Sequence, residues 1–233
     1  TSSNSVLTVN SGAVITTQPA ATQTLCVGVA ANFSVVATGT SLTYQWKVST
    51  DGTNYTDLTN TGIYTGATTS VLRLSSGVTS SYSGYKYKCT VTGSCGSAVT
   101  SNEATLTVNS PISISASPSN STICSGNNTT FSVTASGTSP TYQWKVSTNG
   151  GSSYTNLSDA GVYTGVTTAT LTITGATAGM NSYKYHCVVS GTCASATSDA
   201  ATLTINAAPS TPGSITGNST IFSNTNQSYS VAT

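Results

Sequence analysis

Seven consecutive residues, Tyr-Gln-Trp-Lys-Val-Ser-Thr, occur at 44–50 and again at 142–148, and the two copies hold the chain's only tryptophans, Trp46 and Trp144. Each copy is followed by a Tyr-x-Cys, Tyr87-Lys88-Cys89 in one case and Tyr185-His186-Cys187 in the other. At an offset of 98 residues Cys26 falls on Cys124, Trp46 on Trp144, Cys89 on Cys187 and Cys95 on Cys193. A period near 100 is the length of a whole domain, beyond the 20–50 residues of solenoid units. The fold must therefore place one tryptophan and one Tyr-x-Cys in the core of each of two like domains.

The period divides the chain. Residues 1–10 repeat the ending of 104–109, and Thr220-Ile221-Phe222-Ser223 repeats Thr122-Ile123-Cys124-Ser125. The expected organisation is a last strand of a preceding repeat at 1–10, whole repeats at 11–109 and 110–206, and the first strands of a following repeat at 207–233. On this reading the chain is a window on a longer array. The joints, such as Asn109-Ser110-Pro111, are two or three residues long and in places carry proline, which leaves little slack.

Within a repeat the apolar residues alternate with a period of two. Phe33, Val35 and Ala37 share a face, as do Leu42, Tyr44 and Trp46, then Tyr85, Tyr87, Cys89 and Val91, then Ala104, Leu106 and Val108. These runs are separated by Gly, Ser, Asn and Thr, with no helical periodicity, so the expected class is all-β, an antiparallel sandwich in each repeat. The core is expected around Trp46, Tyr87 and Cys89, and around Trp144, Tyr185 and Cys187.

Charge is sparse, with six Lys or Arg against five Asp or Glu and a net of +1. Such a chain lacks the basic surface that grips phosphate backbones or anionic lipid, which points away from nucleic acid. No apolar run approaches the roughly 20 residues of a membrane span, so insertion by this segment is not expected.

Catalytic, metal and cofactor sites are not expected. The five acids, Asp51, Asp57, Glu103, Asp159 and Asp199, form no close pair by spacing and no calcium loop. The single histidine, His186, belongs to the second repeat, so the first has no base for a Ser-His-Asp site. Cys89 and Cys95 are separated by five residues without a second close pair, which does not fit zinc.

The motifs resemble the immunoglobulin-like fold. Gly28, Phe33-x-Val35, Trp46, Tyr87-x-Cys89 and Leu106-x-Val108 stand where that fold has its turn glycine, strand B, strand C tryptophan, strand F and strand G. The resemblance implies a tyrosine corner at Tyr87. The chain departs from the pattern at the strand B cysteine, where Val35 and Val133 stand. The usual bond between the sheets is thus excluded, and Cys89 and Cys187 read as buried thiols acting as small apolar side chains. With Cys-x-Gly before strand B, Tyr-Gln-Trp, and Tyr-x-Cys-x5-Cys near the end, the repeats look like the Ig-like and PKD-like repeats of large Bacteroidota surface proteins. That group includes gliding-motility adhesins exported by the type IX pathway. Pro209 to Val231 looks like the start of a PKD-like repeat.

Cys26, Cys95, Cys124 and Cys193 are the disulfide candidates. In the immunoglobulin-like order Cys26 lies at the turn into strand B and Cys95 in the F–G turn. These are opposite ends of a sandwich about seven residues tall, more than about 20 Å apart at roughly 3.3 Å per residue. A disulfide needs Cα atoms within about 7 Å. Three arrangements stay open: Cys26 with Cys193 across a junction, with Cys95 and Cys124 pairing to neighbouring repeats; Cys26 with Cys95 inside one repeat; or reduced thiols.

The function implied is structural and adhesive: an extracellular, semi-rigid stalk or fibre at a bacterial cell surface, with neighbouring repeats, surface polysaccharide or a substratum as partners. The alternative is a non-catalytic spacer or carbohydrate-binding module of a secreted enzyme. For surface contact the candidate aromatics are Tyr55, Tyr64, Tyr154 and Tyr163.

Overall fold

A computed structural model of the chain describes residues 8–207 and the backbone of Ile215–Thr216 paired antiparallel with Ser230–Val231. Residues 1–7 and most of 207–233, to which the sequence assigns strands of flanking repeats, lie outside the described residues.

Eleven strands run between residues 14 and 109: β1 (Val14–Thr17), β2 (Thr22–Cys26), β3 (Ala31–Ser34), β4 (Val36–Thr38), β5 (Thr43–Ser49), β6 (Thr56–Asp57), β7 (Tyr64–Thr65), β8 (Val71–Leu74), β9 (Lys86–Thr92), β10 (Val99–Thr100) and β11 (Ala104–Asn109). One sheet has the order β2-β11-β9-β5-β6, with β10 also on β9; a second is β3-β8-β7, and β1 pairs with β4. Between residues 113 and 206 the series recurs as β12 (Ser113–Ala116), β13 (Ser121–Cys124), β14 (Thr129–Ser132), β15 (Thr134–Ser136), β16 (Thr141–Ser147), β17 (Thr155–Asn156), β18 (Tyr163–Thr164), β19 (Thr170–Ile173), β20 (Lys184–Ser190), β21 (Ser195–Thr197) and β22 (Ala201–Asn206), with the same orders. This is the tandem immunoglobulin-like β-sandwich that the alternation implies.

By backbone contacts the described residues fall into two compact units. One takes those of Thr1–Ala116, Thr134–Tyr142 and Val188–Ser198, the other those of Ser117–Val133, Gln143–Cys187 and Asp199–Thr233.

Trp46, Tyr87, Cys89, Leu72 and Leu106 are fully buried, as are Trp144, Tyr185, Cys187, Leu171 and Leu203. The Trp46 indole Nε1–H donates to the Thr69 carbonyl at 2.9 Å, and Trp144 donates likewise to Thr168. The indole thus buries its large apolar area without orphaning its one donor. Phe33 stacks on Tyr87 with centroids 4.7 Å apart, and Phe131 on Tyr185 at 5.0 Å.

The glutamine of the heptapeptide has a job that its polarity alone did not reveal. Gln45 Nε2 donates to the carbonyls of Trp46 and Leu58, at 2.8 and 2.9 Å, where the Leu58 N–H also bonds Trp46 O. Gln143 repeats this with Trp144 and Leu157. One side-chain amide thereby holds the crossing between β5 and the residue after β6, and between β16 and the residue after β17.

Three expectations are corrected. The sheets are not wholly antiparallel, for β2 runs parallel to β11, and β13 to β22. Proline breaks the first strand of each series, at Pro19 and Pro118. It cannot serve a ladder bond from its nitrogen, so the chain leaves β1 and restarts as β2 on the other sheet. The Phe33–Ala37 run is likewise split: β3 pairs with β8 and β4 with β1. Finally, the Tyr87 hydroxyl meets the hydroxyl of Tyr64 at 3.2 Å, and Tyr185 meets Tyr163 at 3.2 Å. A second tyrosine on β7 or β18 thus takes the partner role that a backbone group holds in a tyrosine corner.

Candidate functional site

Cys26 and Cys193 form a disulfide, with Cα atoms 5.7 Å apart and a sequence separation of 167 residues. Both belong to the first unit. The geometry follows from the parallel pairing of β2 and β11, which sets Cys26 beside Asn109, the last residue of the period. The Val27 N–H bonds the Asn109 carbonyl at 3.0 Å, and Cys193 Sγ lies 3.5 Å from the same oxygen. Cys193 stands in the turn between β20 and β21. Cys95, in the corresponding turn, instead donates from Sγ to the Asn10 carbonyl at 3.2 Å. Cys26 and Cys95 thus stand beside the end and the start of the same period. The Cys26–Cys95 pairing is absent from the structure, and Cys95 and Cys124 are exposed thiols.

The residues around the bond are tied to it by close backbone approach. The Ser110 N–H donates to Thr138 Oγ1 at 2.9 Å, the Thr138 N–H to Ser110 O at 3.1 Å, and the Thr192 N–H to Thr138 O at 3.2 Å. Gly137 has φ +131°, and a Cβ there would stand 2.7 Å from Pro111 O and 3.0 Å from Ile112 Cα. Gly175 has φ +65° with nothing within 4 Å of a Cβ. Gly175→Ala is expected to cost only the left-handed strain of about 1–2 kcal/mol. Gly137→Ala should exceed it, because backbone must also move. Urea denaturation of the two variants checks the order.

Cys89 and Cys187 are buried and outside the disulfide. Burial pushes both thiols up to about 11, against a small opposing pull from the backbone N–H of Gln45 and of Gln143. A thiol so far from ionisation is a poor nucleophile and a poor metal ligand at neutral pH. Among the described residues no three His, Cys, Asp or Glu side chains converge as a metal site would require. No helix among them is long and apolar enough to cross a membrane.

The candidate surface aromatics separate into two kinds. Tyr64 and Tyr163 are half-buried, their hydroxyls engaged with Tyr87 and Tyr185, and burial raises the pKa of both. They are sandwich residues rather than a free contact surface. Tyr55 and Tyr154 stand over the charged sheet faces. Lys88 Nζ lies 4.3 Å above the Tyr55 ring, and the Tyr55 hydroxyl donates to Glu103 Oε2 at 2.5 Å. Tyr154 stacks on His186 with centroids 4.0 Å apart. Burial, then Lys145, lowers the pKa of His186.

Glu103 also pairs with Lys86 at 2.7 Å. Its carboxyl is held below the usual range first by the Lys86 bond and then by Tyr55. Asp51 is lowered further, chiefly by Asn54, whose side chain and N–H both donate to it, with Thr53 N–H and Ser49 Oγ adding to the effect. The matching turn in the second period uses uncharged Asn149, which accepts from Ser147 Oγ and Ser153 N–H. A depressed carboxyl contributes stability that is present above its unfolded pKa of about 4 and lost as pH falls through the folded value. Glu103→Gln and Asp51→Asn are therefore expected to flatten the fall of the melting temperature between about pH 4 and pH 2, which scanning calorimetry across that range reads directly.

The comparisons with known proteins agree with this architecture. Residues 113–207 match a family model described as "Domain of unknown function (DUF8696)". No curated protein matches the chain. Among solved structures the chain is similar to the I-band fragment I67–I69 from titin, at 14% identity and a TM-score of 0.61, covering 84% of this chain and 66% of the fragment. It is similar to Sidekick-1 immunoglobulin domains 1–5 at 18% identity and a TM-score of 0.63, covering 90% and 41%. It is also similar to extracellular domains 3–5 of Drosophila OTK, at 20% identity and a TM-score of 0.55, covering 83% and 62%. The chain spans less than two thirds of each of these, and at such identities the likeness is one of fold. The class is tandem immunoglobulin-like domains.

Proposed function

We propose that this chain is a non-catalytic structural segment of an extracellular adhesive protein, built from repeats at 11–109 and 110–206 and carried in a longer array on a bacterial surface. The finer assignment, to a gliding or attachment adhesin exported by the type IX route, is supported by the motifs the repeats share with such proteins. Its partners are neighbouring repeats and a surface polysaccharide or substratum. The observation that carries the structural reading is the Cys26–Cys193 bond. Disulfides persist in oxidising, extracellular settings. This one encloses both Trp46 and Trp144, with the strands from β3 to β20, in one covalent loop.

A loop of that kind matters under tension. Pulling on the two ends of the oxidised chain loads only the residues outside the loop, 1–25 and 194–233, which number 65 of the 233. At about 3.5 Å per extended residue their contour is about 230 Å, against about 800 Å for the reduced chain. Single-molecule force extension tests the reading. Oxidised chains are expected to stop near the shorter length and reduced chains to reach the longer one. Equal extension in both states would remove the load-bearing role.

A further inference from the structure

Arg73 is the chain's only arginine, and it stands exposed on β8. Across the sheet it is paired with Asn32 of β3 on one side and with Thr65 of β7 on the other. Side chains alternate between the faces of a strand, so Ser75, two residues on, shares the face of Arg73. All four side chains are exposed. Among the described residues no hydrogen bond or ion pair engages any of them, although Lys47, Lys86 and Lys88 all find carboxylates.

The four residues line a hollow of about 310 Å³, shared with Ala30 and Leu74. That volume lies at the lower end of ligand sites, about 300–1,000 Å³. A second hollow, of about 400 Å³, meets the first at Asn32, which lines both, and is lined further by Thr22, Thr24 and Ser34. Both hollows belong to the first unit. The second period keeps the strands and lacks the cation. Where Asn32 and Thr65 flank Arg73, the matching registers set Thr130 and Thr164 beside Thr172. The arginine row is therefore a property of one repeat that the shared fold does not require.

A guanidinium presents parallel N–H donors in a fork that matches a carboxylate. The Asn32 amide and the hydroxyls of Thr65 and Ser75 both donate and accept, as sugar hydroxyls require. One cation balances one negative charge, which favours a carboxylate over a doubly charged phosphate. Two hollows that meet at one residue suit successive units of a polymer.

We propose that Arg73, Asn32, Thr65 and Ser75 form a binding site for an acidic polysaccharide, the guanidinium clasping the carboxylate of a uronic acid unit while a neighbouring unit lies in the hollow lined by Thr22 and Ser34. The inference deepens the surface-polysaccharide reading and rests on it for the choice of a sugar polymer.

The test titrates the full chain with trigalacturonate, with its methyl ester and with neutral maltotriose, read by calorimetry and by NMR of the Arg73 and Asn32 side-chain nitrogens. Trigalacturonate is expected to bind and to shift both sets of signals, and the two uncharged sugars are not. Arg73→Thr, which copies Thr172, should melt with the wild-type chain and bind about tenfold to a hundredfold more weakly, the loss expected for bonds to a charged group. Lys145→Gln removes the same charge from the second unit and should bind as the wild-type chain does. Three outcomes would overturn the site but not the polysaccharide reading: a methyl ester that binds as well as the acid, full affinity in Arg73→Thr, or an equal loss in Lys145→Gln. Absence of binding by all three sugars would overturn the site together with the choice of a sugar partner.

Discussion

Replacing Trp46 by alanine is expected to unfold its sandwich or bring it to the edge of unfolding at room temperature. The side chain is fully buried, and truncating such an indole costs about 3–5 kcal/mol through lost transfer energy and the cavity left behind. The Thr69 carbonyl also loses its indole donor, a further penalty of about 1–3 kcal/mol if no water replaces it. Against a total of about 5–15 kcal/mol for a typical domain, little stability is left. Trp46→Phe keeps most of the apolar volume and should lose chiefly the polar part. Because Trp46 and Trp144 are the only tryptophans, the fluorescence of each single variant in urea reports on the other's sandwich. Trp46→Ala should leave the Trp144 transition cooperative, and Trp144→Ala should leave that of Trp46.

The second large effect belongs to the disulfide. For a closed loop of 167 residues the chain-entropy account gives about 5 kcal/mol, the upper end of what disulfides contribute. Cys26→Ser is expected to lower the melting temperature. Treating the wild-type chain with a reductant should bring it to the same value and leave the variant where it was. Cys95→Ser should not move the monomer's melting temperature, since Cys95 is exposed and outside any disulfide. A variant that melted with the oxidised wild-type chain would show that the bond does not restrain the unfolded state.

Much of this was legible in the sequence because it depends on local period and on large side chains. The alternation around Phe33, Trp46, Tyr87 and Leu106 marks faces that only a sandwich can bury, and Val35 in the strand B cysteine position excluded the usual bond. The height of a sandwich was enough to set Cys26 and Cys95 apart. What escaped the reading is non-local. Pro19 signals a break but not that the chain resumes on the opposite sheet parallel to β11. Nothing in the spelling of Tyr-Gln-Trp says that Gln45 will hold the backbone of Leu58. The pairing of Tyr64 with Tyr87 is a cross-sheet choice, visible only once β7 is placed, and it removes Tyr64 from the surface to which its sequence setting assigned it.

The most direct measurement is a peptide map of the folded chain, alkylated and digested without reduction by trypsin together with a glutamate-specific protease. Cleavage after Glu103 separates Cys95 from Cys124, and the lysines and Arg73 separate Cys26 from both. The account expects one linked pair, the peptide of Cys26 joined to that of Cys193, with Cys95 and Cys124 alkylated in the monomer. Cys26 joined to Cys95, or Cys124 joined to Cys193, would contradict it.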